Sequence, residues 1–248
     1  MTAEPPLGEV PRTALWTLYC RAHHAAKGRL EDPEAIRWAD ALVPNGAEIF
    51  GPAPSSFAVR ARLFDERVTR ALDEGVTQVV SLGEGLETQR HRVPGPRLWW
   101  SVDLPEMIEV RERLVSPDST HRHLAQDAVE GDWLDEIEAG PSIVLAQGLF
   151  MYVEPSRLRR LVRRVMARPQ TSLLFDVVPP WVARLSRLRP PMGAAFHIPP
   201  MPWGIRAQRL PTTLQAWSER PVWLETQPLP LPRGPLPWKP HTVLVHAF

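Results

Sequence analysis

The segment Leu82-Gly83-Glu84-Gly85-Leu86-Glu87-Thr88 closes a short β-branched run, Val76 to Leu82. Glycines at the end of a strand let the backbone turn sharply and approach a ligand that a side chain would exclude. In an open α/β sheet that position faces the crevice at the carboxyl ends of the strands, where ligands bind. Asp103 stands eighteen residues after Gly85 and directly follows a second run, Arg97 to Val102. A carboxylate there can accept both hydrogen bonds of a ribose diol. The pair therefore points to a nucleotide-like ligand. The dinucleotide fingerprint has a third glycine, whereas Leu86, Glu87 and Thr88 follow here, which weighs against a nicotinamide dinucleotide. The plain alternative is a tight turn beside a surface aspartate.

Other residue types able to do chemistry are few. His23, His24 and His197 are candidate bases, although a lone histidine is more often a surface or hydrogen-bonded residue. His121 and His123 share one strand face without a ligand cluster, so no metal site is expected. Tyr19 and Tyr152 could supply orienting hydroxyls. Cys20 is the single cysteine, which excludes an internal disulfide and fits a reducing cytoplasm. The 29 basic and 28 acidic residues leave a net charge of +1, so no field favours nucleic acid or an anionic membrane. Lysine occurs at Lys27 and Lys239 and asparagine at Asn45, beside 29 prolines, a pattern of GC-rich coding that makes arginine weak testimony for phosphate binding. The arginines of 157–164 read as the solvated face of a helix. The first thirty residues lack an export signal and no apolar stretch is long enough to span a membrane, so a cytoplasmic protein is expected.

The elements that must position these residues are legible from periodicity. Thr13 to Ala26 puts Leu15, Leu18, Tyr19, Ala22 and Ala26 on one helical stripe. Asp32-Pro33-Glu34 reads as a cap opening a helix to Leu42, and a third helix runs from Ser56 to Leu72 and stops at Gly75. Strands follow at Val76–Leu82, Arg97–Val102, His121–Ala125, Ser142–Ala146 and Thr171–Val178, with an amphipathic helix at Pro155–Met166. This alternation predicts a doubly wound, mostly parallel sheet. Pro179 to Pro211 breaks it: the segment is rich in proline and carries Trp181, Met192, Phe196, Met201 and Trp203, which suggests a lid over a binding site. Pro221–Thr226 and His241–His246 then form an antiparallel edge joined by a glycine- and proline-rich loop. The chain thus reads as one domain: helices over 1–75, a ligand-binding core over 76–178, the insertion over 179–211 and terminal strands over 212–248.

Val79-Val80-Ser81-Leu82-Gly83-Glu84-Gly85-Leu86-Glu87-Thr88, then Arg92 and Val102-Asp103-Leu104-Pro105-Glu106, resemble the leucine carboxyl methyltransferase family, most nearly its bacterial branch of tetracenomycin-type polyketide O-methyltransferases. Arg60-Ala61-Arg62 with Asp65 upstream, and Asp127, Trp133-Leu134 and Gln147-Gly148-Leu149-Phe150-Met151-Tyr152-Val153 downstream, fit the same pattern, which covers about Thr13 to Trp203. The resemblance implies a class I, Rossmann-like fold that binds S-adenosylmethionine, releases S-adenosylhomocysteine and methylates an oxygen of a small metabolite. It implies that Gly83, Glu84 and Gly85 pass under the methionine part and that Arg60 pairs with its carboxylate. Asp103 and Leu104 would sit at the ribose, Asp127 and Ala128 at the adenine, and Gln147 and Gly148 near the sulfonium. The acceptor is expected against Tyr19, Met151, Tyr152, Phe196, Met201 and Trp203, with Tyr19, Tyr152 and His197 as catalytic candidates.

Three positions depart from the family: Glu87 replaces aspartate, Gln89 arginine and Gln147 glutamate. The last removes a carboxylate from the neighbourhood of a positive sulfonium. The sulfonium is an activated electrophile, so alignment and exclusion of water can carry the reaction. A carboxylate acceptor needs no base, whereas a phenol does. A small-metabolite O-methyltransferase is therefore the leading expectation. A methyltransferase of peptide or protein C-terminal carboxylates and a non-catalytic cofactor-binding homologue are the alternatives. A small-molecule acceptor is the expected partner, with no nucleic acid and no membrane; a homo-oligomer is left open.

Overall fold

A computed structural model describes residues 7–194, 196–230 and 241–247. Four helices come first: α1 (Glu9–Ala25), α2 (Pro33–Leu42), α3 (Gly46–Phe50) and α4 (Ser56–Asp73). Asp32 caps α2 as expected, its Oδ1 accepting from the Ala35 N–H at 3.0 Å, with Pro33 at the first helical position. At the end of α4, Gly75 takes φ +99° and the Val76 N–H bonds back to the Ala71 carbonyl. Val76 is thereby spent on closing the helix. For that reason the first strand, β1 (Gln78–Leu82), starts two residues later than the sequence suggests.

Strands β2 (Leu98–Asp103), β3 (His121–Ala125), β4 (Ser142–Ala146) and β5 (Thr171–Val177) follow. The sheet order is β3-β2-β1-β4-β5, all parallel. Helices α5 (Pro105–Glu112), α6 (Trp133–Glu136) and α7 (Pro155–Ala167) lie in the crossovers. The strands β1, β2 and β4 are buried throughout because both faces are covered. Phe64 and Val68 of α4 pack with Val79, Trp99 and Leu145 on one face. Leu158, Leu161, Val162 and Val165 of α7 pack with Val80, Trp100 and Phe175 on the other.

After β5 the insertion forms α8 (Pro180–Ser186) and a two-stranded turn of β6 (Pro191–Met192) and β7 (Phe196–His197). Helix α9 (Leu210–Trp217) follows, and β8 (Val222–Pro228) pairs antiparallel with β9 (His241–Ala247), which itself pairs antiparallel with β5. The loop expected to join β8 to β9 lies outside the described residues. Short helices α3, α5 and α6 and the helix α9 were not legible in the sequence. The turn between β6 and β7 docks on α3: Gly193 has φ +69°, and a Cβ there would lie 2.4 Å from the Ile49 carbonyl oxygen. No helix among the described residues is long and apolar enough to cross a membrane.

Candidate functional site

A cavity of about 290 Å³ opens at the carboxyl ends of β1, β4 and β5. Its floor is Leu82 to Gly85 with Gln147 and Gly148. Thr13, Trp16, Thr17 and Arg21 of α1 and Ser56, Phe57 and Arg60 of α4 form one wall. The other consists of Met151, Tyr152, Asp176 and Val178, with Val182, Ile198, Met201 and Leu229 above. The floor demands glycine. Gly83 and Gly85 have φ +55° and +57°, and a Cβ on them would lie 2.9 Å from Leu149 Cδ1 and from Ala14 Cβ respectively. Gly148, at φ +71°, leaves room for the Arg60 guanidinium, since a Cβ would stand 2.9 Å from its Nη1.

Beneath this loop lies a buried layer of charge. Arg21 Nη2 donates to the Leu86 carbonyl (2.6 Å), and its Nη1 stands 3.2 Å from Glu87 Oε2. Arg92 reaches Asp32 (2.7 Å), Glu87 (2.9 Å) and both oxygens of Asp65 (2.8 and 3.0 Å). Thr88 Oγ1 donates to Asp32. Burial alone would raise the Glu87 carboxyl, but Arg21 and Arg92 outweigh it and hold it at about 2. Arg111 donates to the carbonyls of Gly85 (2.8 Å) and Glu87 (3.0 Å) and pairs with Glu84 at 3.2 Å. Burial pushes the Glu84 carboxyl up to about 7 against that arginine. Three arginines from α1, the β1–β2 connection and α5 thus tie the loop down through the carbonyls of Gly85, Leu86 and Glu87 and the carboxylates of Glu84 and Glu87.

The sequence-predicted residues divide into those on the cavity and those behind or beside it. Arg60, Gly83, Glu84, Gly85, Gln147, Gly148, Met151, Tyr152 and Met201 line it together. Gln147 Nε2 donates to Glu87 Oε2 (2.9 Å), which fixes the amide, and its Oε1 is buried with no partner among the described residues. Burial pushes the Tyr152 phenol up to about 12. Asp103 lies behind the loop, Oδ2 accepting from the Gly85 N–H (2.6 Å) and Oδ1 from the Leu104 N–H (2.8 Å); burial raises its carboxyl. Leu104 caps α5. Asp127 accepts from the Val129 N–H (2.7 Å) and pairs with Arg157 (3.1 Å), while buried Ala128 offers its carbonyl to the Trp133 indole.

Four expected acceptor or catalytic residues lie away from the cavity wall. Tyr19 donates its hydroxyl to the Gly51 carbonyl (3.1 Å). Phe196 is wedged against Trp16 and Phe50 at ring distances of 5.4 and 5.1 Å. Trp203 packs with Phe150 and Trp217 in the core under the sheet. His197 is exposed beside Glu9, Arg12 and Arg189. The physical reason is common to these aromatics: each is large enough to fill the seam where the insertion meets the helices or the sheet. His121 is likewise committed, to Ser101 Oγ at 2.8 Å, and burial lowers it to about 3.

Several wall residues were missed. Thr13, Thr17 and Arg21 recur at i, i+4 and i+8, a polar stripe that could have been read as a second face of α1. Asp176 interrupts the apolar run TSLLFDVV, and a buried carboxylate at a strand end is itself a signal. It accepts from the Gly148 N–H (2.6 Å) and pairs with Arg60 (3.1 Å). Val182 and Ile198 carry no such mark.

Comparison with known proteins decides the family. A family model described as leucine carboxyl methyltransferase matches residues 20–166, which include α2, α4, the glycine floor, Asp103, Asp127 and Gln147. The chain belongs to the leucine carboxyl methyltransferase family. Within reach of this family, the tetracenomycin polyketide synthesis O-methyltransferase TcmP of Streptomyces glaucescens is 34% identical over 154 residues, 59% of this chain and 55% of that protein. A Parafrankia sp. protein assigned as an S-adenosyl-L-methionine-dependent methyltransferase is 35% identical over 134 residues, 48% of this chain and 43% of its own. The chain spans about half the length of the curated relatives it matches. Magnesium protoporphyrin IX methyltransferase (ChlM) of Synechocystis PCC 6803, solved with bound SAH, shares the fold at a TM-score of 0.51 and 10% identity, covering 94% of this chain and 100% of that one.

Proposed function

We propose that this protein is an S-adenosylmethionine-dependent O-methyltransferase that methylates a carboxylate or hydroxyl of a small, largely apolar metabolite. The observation that carries the reading is the glycine floor, Gly83, Gly85 and Gly148, beneath a cavity bounded by Arg60 and Gln147. The residues fit the cofactor. Buried Arg60 Nε and Gln147 Oε1 are without partners among the described residues, and each Asp103 oxygen has a lone pair to spare for a ribose hydroxyl.

S-adenosylmethionine supplies the methyl group as an already activated sulfonium. Arg60 offers charge-assisted hydrogen bonds to its carboxylate. Gln147 presents a carbonyl oxygen where the family has a carboxylate, and Glu87, anchored by Arg21 and Arg92, holds that amide in place. Val182, Ile198 and Met201 of the insertion exclude water from above in a lid-like role, and Trp16 of α1 closes the side. Tyr152 stays protonated at neutral pH and orients an acceptor as a donor, not as a base. An acceptor that arrives ionised needs nothing more.

The reading is tested by isothermal titration with S-adenosylhomocysteine and NAD⁺, followed by methyl transfer from labelled S-adenosylmethionine to a panel of aromatic acids, phenols and peptide carboxylates. Binding of the first ligand with transfer to a small acceptor is the expected result. Binding of NAD⁺ alone would overturn the cofactor assignment, and transfer to peptides alone would overturn the acceptor class.

A further inference from the structure

Arg60 and Asp176 form an ion pair in the wall of the cavity. Arg60 Nη1 lies 3.1 Å from Asp176 Oδ2, and the side chains are 12% and 3% exposed. The pair is not a bare accident of packing, because each partner is held by something else. The other oxygen of Asp176 takes the Gly148 N–H at 2.6 Å, and the Arg60 guanidinium lies over the Phe57 ring at 5.4 Å. Gly148 serves both, since its missing Cβ is what lets Arg60 approach.

A ligand carboxylate that engages Arg60 must compete with Asp176 for it. If the carboxylate came alone, Asp176 would be left charged, buried and without its counter-ion, which is strongly unfavourable. A zwitterion removes that difficulty. Its carboxylate takes Arg60, its ammonium takes Asp176, and each buried charge keeps an opposite neighbour while the site remains neutral. We infer that Asp176 binds the α-ammonium of the amino-acid end of the cofactor, with Arg60 and Asp176 parting to receive it as a matched pair. This rests on the cofactor reading above. It gives Asp176 a ligand, and it makes the wall selective for an intact amino acid over any adenosine thioether that lacks one.

The test is isothermal titration of the wild type, Asp176→Asn and Arg60→Gln with three probes. These are S-adenosylhomocysteine, its deaminated analogue that keeps the carboxylate, and 5′-methylthioadenosine, which lacks both groups. Asparagine keeps an oxygen for the Gly148 N–H, so the turn is retained. The wild type should prefer S-adenosylhomocysteine over both other probes. Asp176→Asn should lose roughly ten- to a hundred-fold for S-adenosylhomocysteine, gain affinity for the deaminated analogue, whose carboxylate no longer strands a buried charge, and change nothing for 5′-methylthioadenosine. If Asp176→Asn does not fold, the double variant Arg60→Gln/Asp176→Asn, which leaves no buried net charge, should bind S-adenosylhomocysteine and the deaminated analogue alike. Equal loss for all three probes in Asp176→Asn, or an unchanged preference for the amino group, overturns the inference. A wild type that binds S-adenosylhomocysteine no better than the deaminated analogue overturns it while the cofactor reading stands. A wild type that binds none of the probes overturns both.

Discussion

Arg92 is 4% exposed and touches three carboxylates and the Thr88 hydroxyl, so replacing it with methionine isolates the buried charge layer. Methionine keeps the length and apolar stem but none of the donors. Arg21, Arg92, Asp32, Asp65 and Glu87 together carry two positive and three negative charges when ionised, and Arg92→Met leaves one against three. Breaking a buried pair by removing one partner costs about 3–5 kcal/mol. For a chain of this size that corresponds to a fall in Tm of roughly 6–20 °C. The loss depends on pH in a definite direction. Burial already raises Asp65 above its ordinary 3.8 despite Arg92, so its ionisation opposes folding as the pH rises through that range. Without Arg92 the opposition grows. Glu87, held at about 2, contributes stability that is complete above about pH 4.5 and fades as the pH falls towards 2. Losing Arg92 weakens that contribution too, and most where Glu87 is ionised in both states. The deficit of Arg92→Met relative to the wild type should therefore be largest near pH 7 and shrink below about pH 5. Urea denaturation of both proteins between pH 4 and 8 measures it. A deficit under about 1 kcal/mol at pH 7, or one that grows on acidification, would refute the idea that Arg92 neutralises this layer.

Gly85→Ala should weaken S-adenosylhomocysteine binding and cost about 1–2 kcal/mol of stability from the left-handed backbone, with a further penalty from the 2.9 Å approach to Ala14; thermal melts and titration check both. Gln147→Glu sets a second carboxylate 2.9 Å from Glu87, so its stability should drop at pH 7 and recover as the pH falls and the pair takes up a proton; a pH series of melts reads the crossover. Trp203→Ala should cost about 3–5 kcal/mol without a selective kinetic defect, because Trp203 fills the core beneath the sheet; Met201→Ala should instead raise acceptor KM with cofactor affinity intact, and the two are separated by steady-state kinetics and melts on the same variants.

Local pattern was enough for the elements whose physics is local. The strands His121–Ala125 and Ser142–Ala146 have the bounds expected from the sequence, the second because Ile143 and Val144 form a short β-branched, apolar run, and the Asp32 cap with Pro33 places α2 to the residue. Helix α5 escaped notice because its apolar residues Met107, Ile108 and Val110 show no clean helical stripe over eight residues. The glycine loop and Asp103 stand out in the sequence because residue type at the carboxyl end of a parallel strand is a local signal, whereas Arg60, on α4, is marked only by the resemblance. What the sequence left undecided is which side chains from distant elements meet. Asp176 and Arg60 are 116 residues apart, and Phe196, Met201 and Trp203 have the same apolar character along the chain. Only packing sends Met201 to the cavity, Phe196 to the seam between Trp16 and Phe50, and Trp203 to the core, since hydrophobic burial is non-directional and the shape of the remaining space chooses among them.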